Sequence, residues 1–179
     1  MLTATQRGTA GEQLFAACVT LSSAGDLELF KPLTDDDHTD VAAGRRGKVP
    51  ALAIQVKTAL SLNRKGIAVA RMTFPEGKPR EHPAFVYAIV YVADAGISAA
   101  WVVPSADFNR LTYRGAGRRN KGIELQFMGS PTRQDRWSAF RCERMDLGPR
   151  LINLIDSLPT GRAGRAPQVP GTHLLLRRK

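Results

Sequence analysis

Cysteine is scarce in this chain of 179 residues: Cys18 and Cys142 are the only two. Two thiols make no disulfide framework. Cys18 falls in a helical apolar pattern and Cys142 in a strand-like one, so both read as reduced thiols in or near a core. Histidine is nearly as rare, and His38, His82 and His173 are too scattered to suggest a hydrolase triad. Long apolar runs are missing. The longest, residues 84–93, is far short of the roughly 20 residues of a membrane-spanning helix. Met1 to Gly11 are small and polar, with no apolar stretch for a signal peptide. A cytoplasmic location is the resulting expectation.

Acid is the other deficit. Twenty-six Lys and Arg face 16 Asp and Glu, leaving +10. A surplus of this size attracts polyanions through the summed field and through counterion release at phosphates. Nucleic acid is the usual partner, and an anionic membrane the rarer one. The plainer alternative is that the charge only aids solubility. Part of the surplus lies in residues 160–179, a Gly/Pro-rich stretch with five basic residues and no acidic one. The chain therefore divides into one domain over residues 1–159, long enough to bury a core without staples, and a basic C-terminal tail over 160–179.

The pattern predicts a helix capped by Thr3 or Thr5, running to about Ser23 and stopped by Gly25, with Leu14, Phe15, Cys18, Val19 and Leu21 as its apolar stripe. Strands are expected over residues 27–32, 39–44, 51–58, 84–92 and 99–103, with an acidic turn at 34–38 and a basic hairpin turn at 45–48. Ser105 reads as the cap of a short helix ending near Leu111. Residues 113–122 read as a basic, Gly-rich loop, and 123–128 with 137–142 as a late strand pair. A last helix carries Pro149 in its first turn and Leu151, Leu154, Ile155 and Leu158 on one face, ended by Pro159. The sum is an α/β sandwich with a central mixed sheet.

Chemistry concentrates in Ile54-Gln55-Val56-Lys57-Thr58. Side chains of a strand alternate, so Leu52, Ile54 and Val56 share one face, and Gln55 and Lys57 the other. Two polar groups on one face of a central strand are costly to bury without polar partners, although a solvated face would explain them too. Fifteen residues upstream lies Asp40, which a hairpin would set beside Gln55. Glu12, after Gly11 on the first helix, lies at the margin of the Phe15/Val19 face and could look toward the sheet edge. Oxygen ligands with a neighbouring ammonium suit phosphodiester hydrolysis. Mg²⁺ takes oxygen ligands, polarises the phosphate and acidifies its water, and a lysine orients or deprotonates that water.

Gly11-Glu12, the strand ending at Pro32, Asp40 and Ile54-Gln55-Val56-Lys57-Thr58 together resemble the PD-(D/E)XK endonuclease superfamily. The similarity is to Holliday-junction-resolvase-like and intron- or restriction-associated members whose third motif is Gln-x-Lys. It covers roughly residues 8–110, including Trp101 to Ser105 before a helix. The resemblance implies a restriction-endonuclease-like sandwich with its mixed sheet flanked by helices. It implies Mg²⁺ or Mn²⁺ held by Asp40 and Gln55, Glu12 assisting directly or through water, and Lys57 acting on the nucleophile. One departure from the commoner motif is Gln55 itself, where Glu or Asp would add a negative charge.

Arg110, Arg114, Arg118, Arg119 and Lys121, with Tyr113 among them, suit phosphate contacts and base stacking, or else form a solvated loop. Gly115-Ala116-Gly117 is no phosphate-binding P-loop, because no Gly-Lys-Ser/Thr follows. Asp36, His38 and Asp40 alternate as a small metal cluster would, but an acidic turn accounts for them more simply. The expected activity is hydrolysis of DNA, duplex or branched, by a metal-dependent endonuclease, with no membrane partner and homodimerisation left open. The alternatives are a catalytically inactive nucleic-acid-binding module on the same fold and an interaction subunit for an acidic protein.

Overall fold

The computed structural model describes residues 2–32, 39–46, 51–74, 77–117 and 122–159. The acidic turn at 34–38, part of the basic turn at 45–48 and the tail from 160 lie outside them.

Helix α1 (Ala4–Ser22) opens with a capping box: the Thr3 hydroxyl accepts the Gln6 N–H, and Gln6 Oε1 accepts that of Thr3. Ala24 and Gly25 take left-handed conformations (φ 51° and 85°) and turn the chain into β1 (Leu27–Phe30). β2 (Val41–Arg45) and β3 (Leu52–Ala59) follow. β4 (Ala68–Phe74) leaves for a second sheet, and the chain returns as β5 (Phe85–Ala93) and β6 (Gly96–Pro104). The remaining elements are α2 (Ser105–Leu111), β7 (Tyr113–Ala116), β8 (Ile123–Gly129), a 3-10 turn at Ser138–Phe140, β9 (Arg141–Cys142), a 3-10 turn at Arg144–Asp146 and α3 (Leu147–Ser157).

Six strands form a mixed sheet in the order β1-β2-β3-β5-β6-β9, in which only β3 and β5 run parallel. β4, β8 and β7 form a three-stranded antiparallel sheet. The large sheet is covered on both faces. Phe15, Val19, Leu147, Leu151 and Ile155 from α1 and α3 bury Leu52, Ile54 and Val56 on one side. On the other, Phe85, Tyr87, Ile89 and Trp101 pack with Phe108, Phe127 and Trp137 beneath the small sheet and α2. A strand buried on both faces reads as an unbroken apolar run, and β5 does.

Close approach fixes where α1 crosses β3. A Cβ on Gly11 would sit 1.8 Å from Thr58 Oγ1, so no other residue lets the helix lie there. Gly148 plays the same part where α3 meets the end of α1: a Cβ there would sit 2.4 Å from the Ser23 backbone nitrogen.

Several expectations need correction. Leu21 is 73% exposed, because α1 is covered only along the Phe15/Val19 line. Ser105 does not cap α2; its hydroxyl bonds the backbone N–H and carbonyl of His82, each at 2.9 Å. Residues 113–116 are a strand, and β8 pairs with β4 and β7 rather than with 137–142. There the Asp135 carboxylate takes the N–H groups of Ser130 and Trp137 and folds the chain into a 3-10 turn.

Candidate functional site

Because β3 alternates beneath α1, Gln55 and Lys57 both project to the opposite face. They line a cleft of about 190 Å³ between β3 and the free edge of β4, closed by Arg71, Met72, Thr73 and Phe74. Gln55 is 6% exposed, and its Oε1 is buried without a hydrogen-bond partner among the described residues. An orphaned amide oxygen costs about 1–3 kcal/mol, which a ligand placed against it would recover. Lys57 is half-buried in the same cleft.

Asp40 reaches this strand from β2. The antiparallel register pairs Val41 with Ile54, and the Asp40 N–H donates to the Ile54 carbonyl at 2.9 Å, which sets Asp40 opposite Gln55. Asp40 immediately precedes β2, and its side chain takes the ladder position that an earlier strand residue would hold. Oδ2 accepts the Val56 N–H at 2.6 Å, placing the carboxylate against the residue between Gln55 and Lys57. A carboxylate has lone pairs to spare for a further ligand.

Glu12 lies elsewhere. It lines a groove on the α1 side with Leu29, Phe30, Lys31 and Val41, and Lys31 Nζ pairs with its Oε2 at 3.0 Å. Asp40 thus stands on the strand stretch that carries Gln55 and Lys57, and Glu12 lines a separate groove that reaches Val41, the residue after Asp40. Among the described residues no three His, Cys, Asp or Glu side chains gather as a metal cage. One carboxylate and one amide oxygen still suit Mg²⁺, which keeps several waters and shares its shell with phosphate oxygens.

Two arginines near the cleft escaped the sequence reading. Arg71 lines it from β4, a strand whose burial alternates residue by residue through Ala68, Ala70, Met72 and Phe74. That period-two pattern is its signal in the sequence. Arg80 lies 4.4 Å over the Phe85 ring and donates to Thr39 Oγ1 at 3.1 Å, one residue before Asp40. Beside Gln55 on β5 stands Tyr87, whose fully buried hydroxyl has its pKa pushed up to about 12 by burial, against a smaller opposing pull from Arg80.

Of the basic group, Arg110 is exposed and bonded to Asp107 at 2.7 Å, and Arg114 is exposed and donates to the Asn109 carbonyl at 3.1 Å. Arg118, Arg119 and Lys121 lie outside the described residues. No helix among the described residues is long and apolar enough to cross a membrane.

A mixed six-stranded sheet with helices on one face and a small sheet on the other is an endonuclease-like α/β fold. The chain is similar in structure to a bacterial homing endonuclease, I-Ssp6803I, with a TM-score of 0.53 over 78% of this chain and 89% of that one, at 19% sequence identity. No family model and no curated protein sequence matches the chain.

Proposed function

We propose that this protein is a metal-dependent DNA endonuclease of the PD-(D/E)XK type. The observation that carries the reading is the cleft itself: Gln55, whose buried Oε1 has no hydrogen-bond partner among the described residues, lines it with Lys57, and the Asp40 carboxylate abuts the same stretch of strand. The fold shared with a homing endonuclease supports it. Asp40 and Gln55 would hold Mg²⁺ or Mn²⁺, with Glu12 contributing at most through water from across the sheet. The bound ion supplies polarisation of the phosphate and a more acidic water. The Lys57 ammonium would donate a hydrogen bond that orients the attacking water and would offset charge on the phosphate oxygens, while the water's proton passes to solvent and the departing oxygen takes one from solvent. The Asp40–Val56 hydrogen bond keeps the carboxylate from swinging away. Arg71 balances charge on the phosphate at the cleft wall.

The test is cleavage of single-stranded, duplex and branched DNA with Mg²⁺ and Mn²⁺, against Asp40→Asn and Lys57→Ala. Metal-dependent products from the wild type alone are the expected result. A second reading, a nucleic-acid-binding module without chemistry, draws on the neutral amide of Gln55 where a carboxylate would bind metal more strongly. Binding without cleavage under every condition would select it.

A further inference from the structure

The small sheet carries a row of side chains of which the catalytic reading uses only Arg71. Arg71 on β4 pairs in register with Gln126 on β8, and Gln126 pairs with Tyr113 on β7. Directly opposed residues point to the same face. That face is the outer one, since Leu125 and Phe127 are fully buried beneath, whereas Arg71 and Tyr113 are exposed. With strands about 4.8 Å apart, the row spans roughly 10 Å.

Its chemistry is specific. Arg recognises guanine and Gln recognises adenine through paired hydrogen bonds in the major groove, a groove wide enough for a β-ribbon. The groups are also held in place. Glu124 lies 3.7 Å from Arg71 Nε, and the Gln126 amide, turned so that its oxygen faces Arg71, would accept from Nε at 3.2 Å and Nη2 at 3.3 Å. Arg136 stacks 4.1 Å over the Tyr113 ring, adding a cation at the far end of the row. Glu124 is the one acid in the β4–β8 part of this face; its charge opposes phosphate, but its oxygens can accept from a cytosine amino group.

We infer that the outer face of β4 and β8 is a docking surface for duplex DNA, entering the major groove with Arg71 and Gln126 as base-reading residues and setting which sequence enters the cleft. Two features favour this occupant over a protein. The chain carries +10 overall, and Arg71 belongs to both the row and the cleft wall, so reading and cutting would fall on neighbouring stretches of one ligand. The inference rests on the proposed nuclease reading for the cleft, but it can fail separately.

The test is selection of a duplex pool with a randomised core on the full chain in EDTA, followed by affinity measurements on the selected duplex and on a scrambled one. Wild type is expected to prefer the selected duplex. Arg71→Ala and Gln126→Ala should each weaken that duplex by roughly 5- to 150-fold while changing the scrambled one much less. Arg7→Ala on the exposed start of α1 removes one charge from elsewhere and should lower both affinities equally and slightly. Unchanged melting temperatures would show that the variants remain folded. The inference is overturned if Arg71→Ala behaves as Arg7→Ala does, if selection yields no sequence preference, or if single strands or no DNA bind. Persisting metal-dependent cleavage in the first two cases would leave the nuclease reading standing. No binding together with no cleavage would remove both.

Discussion

Asp40 Oδ2 accepts the backbone N–H of Val56 at 2.6 Å, so a candidate metal ligand also completes the sheet. The two duties can be separated. Asparagine keeps an oxygen that accepts the N–H but loses the charge, whereas alanine leaves the Val56 donor without its partner. Asp40→Asn should therefore melt near the wild type, and Asp40→Ala should lose about 1–3 kcal/mol in denaturant titration. Both should lose cleavage. Equal stability of the two variants would mean that the hydrogen bond contributes nothing to the fold.

Gly11 tests the seat of α1. Alanine is the better helix former by about 1 kcal/mol, yet its Cβ would lie 1.8 Å from Thr58 Oγ1. Overpacking of this kind costs about 1–3 kcal/mol, so Gly11→Ala should be destabilising despite the propensity gain. Thr58→Ala removes the closest atom and leaves Thr58 Cβ at 2.8 Å. The double variant should then be more stable than the sum of the single effects, in a double-mutant cycle. Strict additivity would show that the helix shifts freely.

Much of the frame was legible because its signals are local. Thr3 with Gln6, Gly25, and the apolar runs of β3, β5 and β6 announce their elements by capping chemistry and composition. Gln55 and Lys57 were placed on one face by strand alternation alone. What was missed depended on partners far along the chain. β4 alternates, but Ala68 and Ala70 are weak strand signals until the second sheet is there to receive them. Trp137 and Phe140 look like strand residues, yet they fill a core hole beside Phe108 and Phe127 while Asp135 turns the backbone. Glu12 sits on the helix face expected of it, but its helix covers the side of β3 away from Gln55, a relation that no helical periodicity contains.

Alkaline pH should expose the buried acids. Burial pushes the Cys142 thiol up to about 11, chiefly through desolvation, and the Tyr87 hydroxyl up to about 12. In each case the folded state holds a proton that the unfolded chain has released. Stability contributed by these groups is therefore intact below pH 9 and falls as pH rises, through about 9–11 for Cys142 and 10–12 for Tyr87. The slope approaches about 1.4 kcal/mol per pH unit per group at full separation. Tyr87→Phe should flatten the upper part of the curve. An identical curve would place that hydroxyl in contact with solvent.

The basic segment makes a claim independent of catalysis. Replacing Arg118, Arg119 and Lys121 together with alanine should weaken DNA binding and flatten its salt dependence. Each lost phosphate contact lowers the log–log slope by slightly under one unit. A version lacking residues 160–179 separates the tail's contribution. An unchanged slope in the triple variant would make the segment a solvated surface.

Gln55→Glu distinguishes a working site from a relic. The substitution places a carboxylate at a position only 6% exposed, on the face it shares with Lys57. Without metal, burial disfavours that charge and the Lys57 ammonium offsets only part of the cost, so the variant should melt below the wild type in EDTA. With Mg²⁺ the order should narrow or reverse. A unit charge pair at about 4 Å and an effective dielectric near 20 gains roughly 4 kcal/mol per unit of cation charge before desolvation. Binding to the folded state alone raises its melting temperature with metal concentration. If the wild type is an enzyme, Gln55→Glu should keep activity and reach half-maximal rate at several-fold lower Mg²⁺. If the site has lost its chemistry through this one ligand, activity should appear in the variant and be absent from the wild type. Melting curves of the variant that ignore Mg²⁺, together with no cleavage from either protein, would remove the metal site and leave the nucleic-acid-binding module.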